Sequence, residues 1–383
     1  MPRIILLSHD FQPEYEAGFA NGLARNGWSV TLIGSDRSLV DRLDSGVNLL
    51  NLYGRRRWRK VLPMLRCYGY VLRHRGTPVH MIGAFSTDDL RVSLIEAWLT
   101  RLLVGRYVMT VHNLLPHDQH SARNFRLSRA IYRAAAVCMV HTRRMRDALA
   151  DEFGIDPARI VVVEHGIDRL LPPTEESRRA MRIRLGVNED DKLLLFFGNL
   201  ALYKGVDVLL QAFDRLAGNL PVRLVIAGRC HDPSLKAALR KQIDVSAYRA
   251  SVHWLEGYFP ENEVASLFHA ADVLVMPYRH IDQSGVVFMA LATGLRVVAS
   301  DVGSLRDYIP PGFGCVVLPG DPDALAEGIV TVLTQPQRSE VQEKLAAHHL
   351  WSSVVQPILP VYAWIRGGSD SAPPLKMSSE RSV

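Results

Sequence analysis

The sequence predicts an α/β protein made of two doubly wound parallel-sheet domains. Three observations predict it. Short apolar runs alternate with amphipathic helical patterns along most of the chain. A Pro-rich break, "DRLLPPTEES" at 168–177, interrupts the alternation, which then restarts. The chain has 383 residues, 48% of them hydrophobic, enough for two separate cores.

In the first half, "RIILLSH", "SVTLIGS", "VHMIGAF", "RYVMTVHN", "VCMVHT" and "RIVVVEHG" read as buried strands. Strands covered by helices on both faces are apolar throughout rather than alternating. "FANGLARNG", "DDLRVSLIEAWLTRLLVG" and "RRMRDALADEFG" carry helical patterns between them. After the break come "KLLLFFG", "VRLVIAG", "SVHWLEG", "DVLVMP", "LRVVASD" and "CVVLPG" as strands. "VDVLLQAFDRLAG", "EVASLFHA", "FMALATG" and "PDALAEGIVTVLTQ" read as the helices among them. This places one domain at 1–170 and a second at 171–349. Residues 350–366 read as a closing helix broken around Pro357, and the polar stretch 367–383 as a disordered tail.

Composition narrows the function only loosely. A net charge of +6 permits anionic partners without choosing one. The four cysteines are far apart and form no C-x-x-C pair, which favours reduced thiols and a cytosolic chain. No run approaches the roughly 18 apolar residues of a membrane span, and "MPRIILLSHD" is too short in apolar residues for a secretory signal. G-x-G-x-x-G after a strand, G-x-x-x-x-G-K-[ST], H-E-x-x-H and G-x-S-x-G are all missing. Dinucleotide, P-loop, zinc-protease and serine-hydrolase readings thereby lose their main support.

Ligands of doubly wound sheets bind beyond the carboxyl ends of the strands, so the strand-end turns carry the functional signal. "DQSGVVFMALATG" at 282–294 is one such turn. Ser284 suits an N-cap whose hydroxyl accepts from a free backbone N–H, and Gly294 suits the left-handed position after the last turn. Helix starts attract phosphate, but a buried helix of a parallel sheet is the commoner meaning of an uncharged apolar helix. "FFGNLALYKGVDVLLQAF" places Lys204 at another helix start. A cation there opposes the helix dipole unless an anion sits beside it; a solvated lysine is the plainer alternative. "VIAGRC" ends a strand with Gly228 and Arg229, and "MPYRHIDQSG" sets Tyr278 and Arg279 before the Ser-Gly turn. Gathered on one sheet edge, Lys204, Arg229 and the amides near Ser284 make a diphosphate cradle.

These residues carry a resemblance to GT-B glycosyltransferases of the family-4 type. As an order of motifs it covers roughly residues 1–366, and it is strongest over 194–309. The family's G-R-L-x-x-x-K-G stands here as Gly198-Asn199-Leu200 followed by Lys204-Gly205. "HWLEGYFPENEVASLFHAADVLVMPY" matches the family's glycine loop, its next helix and an A-D-V strand. "LATGLRVVASDVGSLRDYI" matches the stretch usually read C-G-x-P-V-V-A-x-D-x-G-G-x-x-E, and "VVEHGID" the N-G-V-D hinge.

The resemblance implies two Rossmann-like domains facing a cleft, with a C-terminal helix returning to the first. It implies a hexosyltransferase whose substrate is a nucleotide-diphosphate sugar, with no further cofactor and no metal. Donor contacts would come from Gly198, Asn199, Arg229, Asp282, Gln283, Ser284, Gly285 and Val286, with Lys204 acting on the leaving diphosphate. The Gly257, Tyr258 and Phe259 turn would meet the base through its backbone. The sequence departs from the family twice. Asn199 replaces the motif arginine, and the E-x7-E pair falls on Ile281 and Met289, so the ribose clamp is lost or moved. The S-G turn before an apolar helix, an H-N-L-x-P-H stretch and the Y-K-G turn resemble bacterial exopolysaccharide mannosyltransferases.

The first domain would supply the acceptor side. In "TVHNLLPHDQH", His112 stands at a strand end, where the resemblance places a donor-sugar contact or the catalytic centre. An imidazole can take the acceptor proton. An inverting transferase needs such a base, whereas a retaining one can use the leaving phosphate. His117 would lie on the acceptor side. Ordinary loop histidines are the plain alternative, and the spacing of His112, His117 and His120 matches no familiar zinc pattern. "SHDFQPEYEAGFANGLA" takes the place of the family's N-terminal glycine loop. There Asp10, Glu14 and Glu16 are rival bases, and Gly18 would let the backbone approach a substrate.

Residues 55–75, "RRRWRKVLPMLRCYGYVLRHR", hold eight Lys or Arg and no Asp or Glu, interleaved with Trp and Leu. This suits an anionic membrane surface, on which a lipid-linked saccharide acceptor would be found. A solvated basic face explains the charge equally well, and no nucleic-acid recognition motif accompanies it. The expected enzyme thus moves a hexose, with mannose favoured, to a lipid-linked saccharide at the inner membrane face. A GT-B sugar-nucleotide 2-epimerase and a non-catalytic GT-B partner protein are its rivals.

Overall fold

The structure is a computed structural model that describes residues 1–8, 12–52, 61–83, 89–115, 121–281, 284–336, 339–368 and 371–375. The chain forms two compact units, Met1–Asp168 with His349–Val383, and Arg169–His348.

Among the described residues of the first unit lie β1 (Arg3–Leu7), β2 (Ser29–Gly34), β3 (Val47–Asn51), β4 (Val79–Met81), β5 (Val108–Thr110), β6 (Val137–Val140) and β7 (Ile160–Val162). They form one parallel sheet in the order β3-β2-β1-β4-β5-β6-β7. The central strands β4, β5 and β6 are buried along their whole length, which is why they read as unbroken apolar runs. β3 is an edge strand with no fully buried residue, and its sequence "VNLLN" gives no such run.

The chain after His348 belongs to this unit. Helices Trp351–Val354 and Leu359–Gly367 are separated by a 3-10 turn at Gln356–Ile358. Pro357 has no N–H to carry an unbroken helix through. Trp351, Val355, Ile358, Val361 and Tyr362 are buried in one core with Phe19, Trp28 and the inner residues of β1 and β2. Within the stretch expected to be a tail, the Ser371 carbonyl accepts from Trp364 Nε1 at 2.9 Å. Residues 369–370 and 376–383 lie outside the described residues.

In the second unit, β8 (Lys192–Phe197), β9 (Val222–Ala227), β10 (Val252–Leu255), β11 (Val273–Met276), β12 (Val297–Ser300) and β13 (Gly314–Val317) run parallel in the order β10-β9-β8-β11-β12-β13. The strand order reverses between β8 and β11, which opens a crevice at their carboxyl ends. Asp272, at the entrance to β11, fixes the opposite edge. It pairs with Arg178 at 2.7 Å and accepts from the Leu193 N–H at 2.7 Å.

Helix Gly285–Thr293 follows β11. It carries no charge because Val287, Phe288, Ala290 and Leu291 are all buried. Gly294 ends it in the left-handed conformation, φ 72°, with its N–H on the Ala290 and Leu291 carbonyls. The N-terminus departs from expectation. Ser284 holds the N-cap position with extended backbone, φ −137°, but its side chain makes no capping bond. The buried Tyr278 hydroxyl has no hydrogen-bond partner among the described residues.

Candidate functional site

The crevice of the second sheet is lined by three turns. The turn after β8 begins at Gly198, φ 118°, and ends in a 3-10 turn at Leu202–Lys204. Gly205, φ 64°, then starts helix Val206–Ala217. A β-carbon on Gly205 would stand 2.0 Å from the Pro277 carbonyl oxygen, so this residue lets the turn after β8 pass the end of β11. A β-carbon on Gly228 would likewise stand 2.0 Å from the Gly198 carbonyl oxygen. The Leu200 N–H donates to the Arg229 carbonyl at 2.7 Å. The turns after β8, β9 and β11 are therefore in direct backbone contact.

Lys204 is a buried cation of this crevice. Only 8% of it is exposed. A β-carbon on Gly198 would come 2.9 Å from its Nζ, and Val286 of the next helix lies beside the same spot. The ammonium sits 5.2 Å from the centre of the Tyr278 ring. Among the described residues no carboxylate pairs with it. Burial lowers its pKa to about 8. The turn that carries it is fastened by Arg279, which pairs with Asp207 and donates to the Leu202 carbonyl at 2.7 Å.

The other expected donor contacts differ in placement. Arg229 and Asn199 are exposed at strand ends, and Gly285 is exposed in the first turn of its helix. Gly257 has open space where a side chain would be, as a backbone contact requires. Tyr258 projects into solvent, whereas Phe259 turns inward with its ring 6.2 Å from Phe197. Met289 is half-buried. Asp282 and Gln283 lie outside the described residues.

In the first unit, His112 is part of a buried aromatic cluster that its own loop did not reveal. Its ring lies 4.9 Å from Tyr15 and 5.3 Å from His141. Tyr15 also meets His165 at 5.4 Å and Trp351 at 5.0 Å. The signal for His141 and His165 was present. Each follows a strand that runs parallel to β5, so all three imidazoles arrive at the same sheet edge.

The cluster's electrostatics bear on the base. Burial, and next the neighbouring His141, lower the His112 pKa to about 3. Its Nε2 is 2.7 Å from the Ile82 carbonyl, which can only accept. The proton is therefore on Nε2, and Nδ1 carries the lone pair. Such an imidazole accepts a hydrogen bond through Nδ1, and near neutrality burial makes it a weaker base than a free histidine.

The rival bases fare differently. Glu16 is buried in helix Pro13–Arg25, its Oε1 3.4 Å from the Gln12 N–H. Glu14 is exposed. Gly18 faces the returning C-terminal helix. A β-carbon there would lie 2.0 Å from Trp351 Nε1, so the indole fills that face. Asp10, His117 and His120 lie outside the described residues.

Two doubly wound parallel sheets, one with a buried cation at its switch point that pairs with no carboxylate among the described residues, belong to a glycosyltransferase of the GT-B class. Residues 17–169 match Glycosyltransferase Family 4, and residues 177–348 match Glycosyl transferases group 1. The protein is a GT-B glycosyltransferase that joins these two domains.

The D-inositol 3-phosphate glycosyltransferase of Corynebacterium urealyticum is 29% identical over 291 residues, 70% of this chain and 68% of the relative. Among solved structures, sucrose-phosphate synthase from Thermosynechococcus elongatus superposes with a TM-score of 0.73 at 18% identity, covering 96% of this chain and all of the other. Anabaena Alr3699/HepE in complex with UDP gives 0.68 at 16% identity, over 96% and 98%. These relatives are not named for exopolysaccharide mannosyl transfer, the subgroup suggested by the S-G, H-N-L-x-P-H and Y-K-G stretches.

Proposed function

We propose that this glycosyltransferase moves a hexose, mannose by preference, from a nucleotide-diphosphate sugar to a lipid-linked saccharide at a membrane surface. One observation carries the donor half. Lys204 is a buried cation with no carboxylate partner among the described residues, set over Gly198 at the switch point of the second sheet. A buried charge is costly unless something compensates it, and a diphosphate would do so. Arg229 and the amides at Ser284 and Gly285 would hold the remaining phosphate oxygens. The Anabaena neighbour was solved with UDP and with UDP-glucose, which supports a nucleotide sugar as donor.

Catalysis would rest on stabilising the charge of the leaving diphosphate. The low pKa of His112 supports a reaction in which that diphosphate, rather than a histidine, takes the acceptor proton. This favours retention of anomeric configuration. The inositol phosphate relatives favour a second acceptor class, a small phosphorylated polyol.

The test is transfer from labelled GDP-mannose, UDP-glucose and UDP-galactose to a membrane lipid extract and, separately, to inositol phosphate. Label in the lipid fraction supports the proposal. Label on inositol phosphate alone moves the acceptor to the soluble class. An epimerised donor without acceptor identifies the isomerase, and no turnover at all leaves the partner-protein reading.

A further inference from the structure

Helix Leu90–Val104 in the first unit packs Leu90, Leu94 and Val104 against the core and carries a second apolar stripe on its outer face. Its buried residues are Ser93, Glu96, Ala97 and Thr100, which are small or polar. Its outer residues are Val92, 38% exposed, Ile95, 66%, Trp98, 53%, and Leu102, 80%. These four fall at helical spacing on one face about 15 Å long. A soluble helix ordinarily buries such a stripe, and a contiguous exposed one marks a surface that meets something else.

The charges around it say what. The helix packs against helices Val61–Arg73 and Ala122–Ala134. In sequence order the three helices carry two, two and four arginines, and the only carboxylate among them is the buried Glu96. Asp89, just before the central helix, is engaged as its N-cap, accepting from the Arg91 N–H at 2.9 Å. Arg91 and Arg101 are exposed on the same helix, and Arg66 and Arg73 on the helix Val61–Arg73 that packs against it. A second copy of the chain would set arginine against arginine, which disfavours self-pairing through this face. An apolar stripe with a tryptophan, rimmed by cations, matches the interface of a bilayer with acidic headgroups.

We propose that the outer face of helix Leu90–Val104 docks on an anionic phospholipid bilayer, with Ile95, Trp98 and Leu102 entering the headgroup boundary. This deepens the membrane-linked reading above and rests on it for the acceptor's location. It assigns the apolar contact to a helix outside the basic stretch 55–75.

The experiment uses the full chain and vesicles of phosphatidylcholine alone or mixed with phosphatidylglycerol. Parent protein should bind the mixed vesicles and release at high salt. The triple variant Ile95→Ser/Trp98→Ser/Leu102→Ser should bind them at least tenfold more weakly. Its thermal midpoint should be unchanged, because the replaced side chains are exposed. Brominated lipid should quench tryptophan fluorescence less in Trp98→Phe than in the parent. If the triple variant binds like the parent while Arg55, Arg56, Arg57 and Arg59→Gln do not, the membrane reading survives and the assignment to this helix is overturned. If the parent ignores both vesicles, both readings fall. If instead it self-associates and the triple variant does not, the face is a protein interface and the proposal is likewise overturned.

Discussion

Arg279 holds Asp207 with both terminal nitrogens, Nη1 to Oδ1 at 2.9 Å and Nη2 to Oδ2 at 2.6 Å. Nη1 also donates to the Leu202 carbonyl at 2.7 Å, and the Arg279 N–H donates to the Tyr203 carbonyl at 2.6 Å. The loop after β11 is thus tied to both ends of the turn that presents Lys204. Neither side chain is the proposed phosphate contact; together they position the one that is.

Asp207→Asn removes the ion pair and keeps the shape. Each partner is about a third exposed, so the loss of stability should stay within about 1 kcal/mol. Turnover should fall roughly tenfold, because a small misplacement of a charge-stabilising group is expensive in rate. Arg279→Gln should lose a similar factor, and the double variant little more than either alone. Additive losses in steady-state kinetics would show that the pair does not act as one latch.

The lysine itself predicts a pH effect. Its pKa in the unliganded protein is lowered to about 8 by burial. Affinity for a nucleoside diphosphate should therefore decline as pH rises above about 8, and binding there should take up a proton. Calorimetry in buffers of different ionisation enthalpy measures that uptake. Lys204→Arg should abolish it, since a guanidinium stays charged. Lys204→Ala should lower turnover by at least tenfold, from the roughly 2–4 kcal/mol of a charge-assisted bond to a developing charge. Above pH 8 the unfolded lysine keeps its proton longer than the folded one, so parent stability should rise between pH 8 and 10.5 while that of Lys204→Ala should not.

Much of this was legible in the sequence, for a physical reason. Turns at the carboxyl ends of parallel strands share one edge, so the sequence alone groups Lys204, Arg229 and the amides near Ser284. Gly294 was readable because a helix end in the left-handed region favours glycine. Side-chain neighbours across the chain were not readable. Nothing near Gly18 announces Trp351, more than three hundred residues away. The sequence "LIEAWLTRLLVG" looks like a helix that buries Trp98 and Leu102; only the packing shows that Glu96 and Ala97 face inward instead.

Acid should act chiefly on the first unit. Burial lowers the pKa of His80, His112 and His165 to about 3 and that of His141 to about 4. Below the ordinary value near 6.5 the unfolded chain takes up protons that these native imidazoles refuse. Stability is then lost as pH falls from about 6.5 towards 4, by up to about 1.4 kcal/mol per pH unit for each imidazole. Urea midpoints at pH 7 and pH 5 should differ clearly. Hydrogen exchange, corrected for intrinsic rate, should show β4 to β7 opening before β8 to β13. Simultaneous opening of both sheets would contradict the assignment of acid lability to this cluster.

Trp351 is seated among three glycines, and this separates two roles for Gly18. A β-carbon would stand 2.0 Å from the indole Nε1 at Gly18, 2.7 Å from the Trp351 carbonyl oxygen at Gly22, and 2.4 Å from the indole Cδ2 at Gly166. Alanine is the better helix former by about 1 kcal/mol, so Gly18→Ala would stabilise an open site. Here overpacking should win, with a net loss of about 1–3 kcal/mol. Trp351→Phe is a smaller ring that makes room, so the double variant should be more stable than the two single losses predict when added. If Gly18 instead gives a substrate access to the backbone, Gly18→Ala would raise KM with the unfolding midpoint unchanged. Denaturation and kinetics on the same three proteins decide between them: a lowered midpoint with partial rescue assigns Gly18 to the seat of the returning helix.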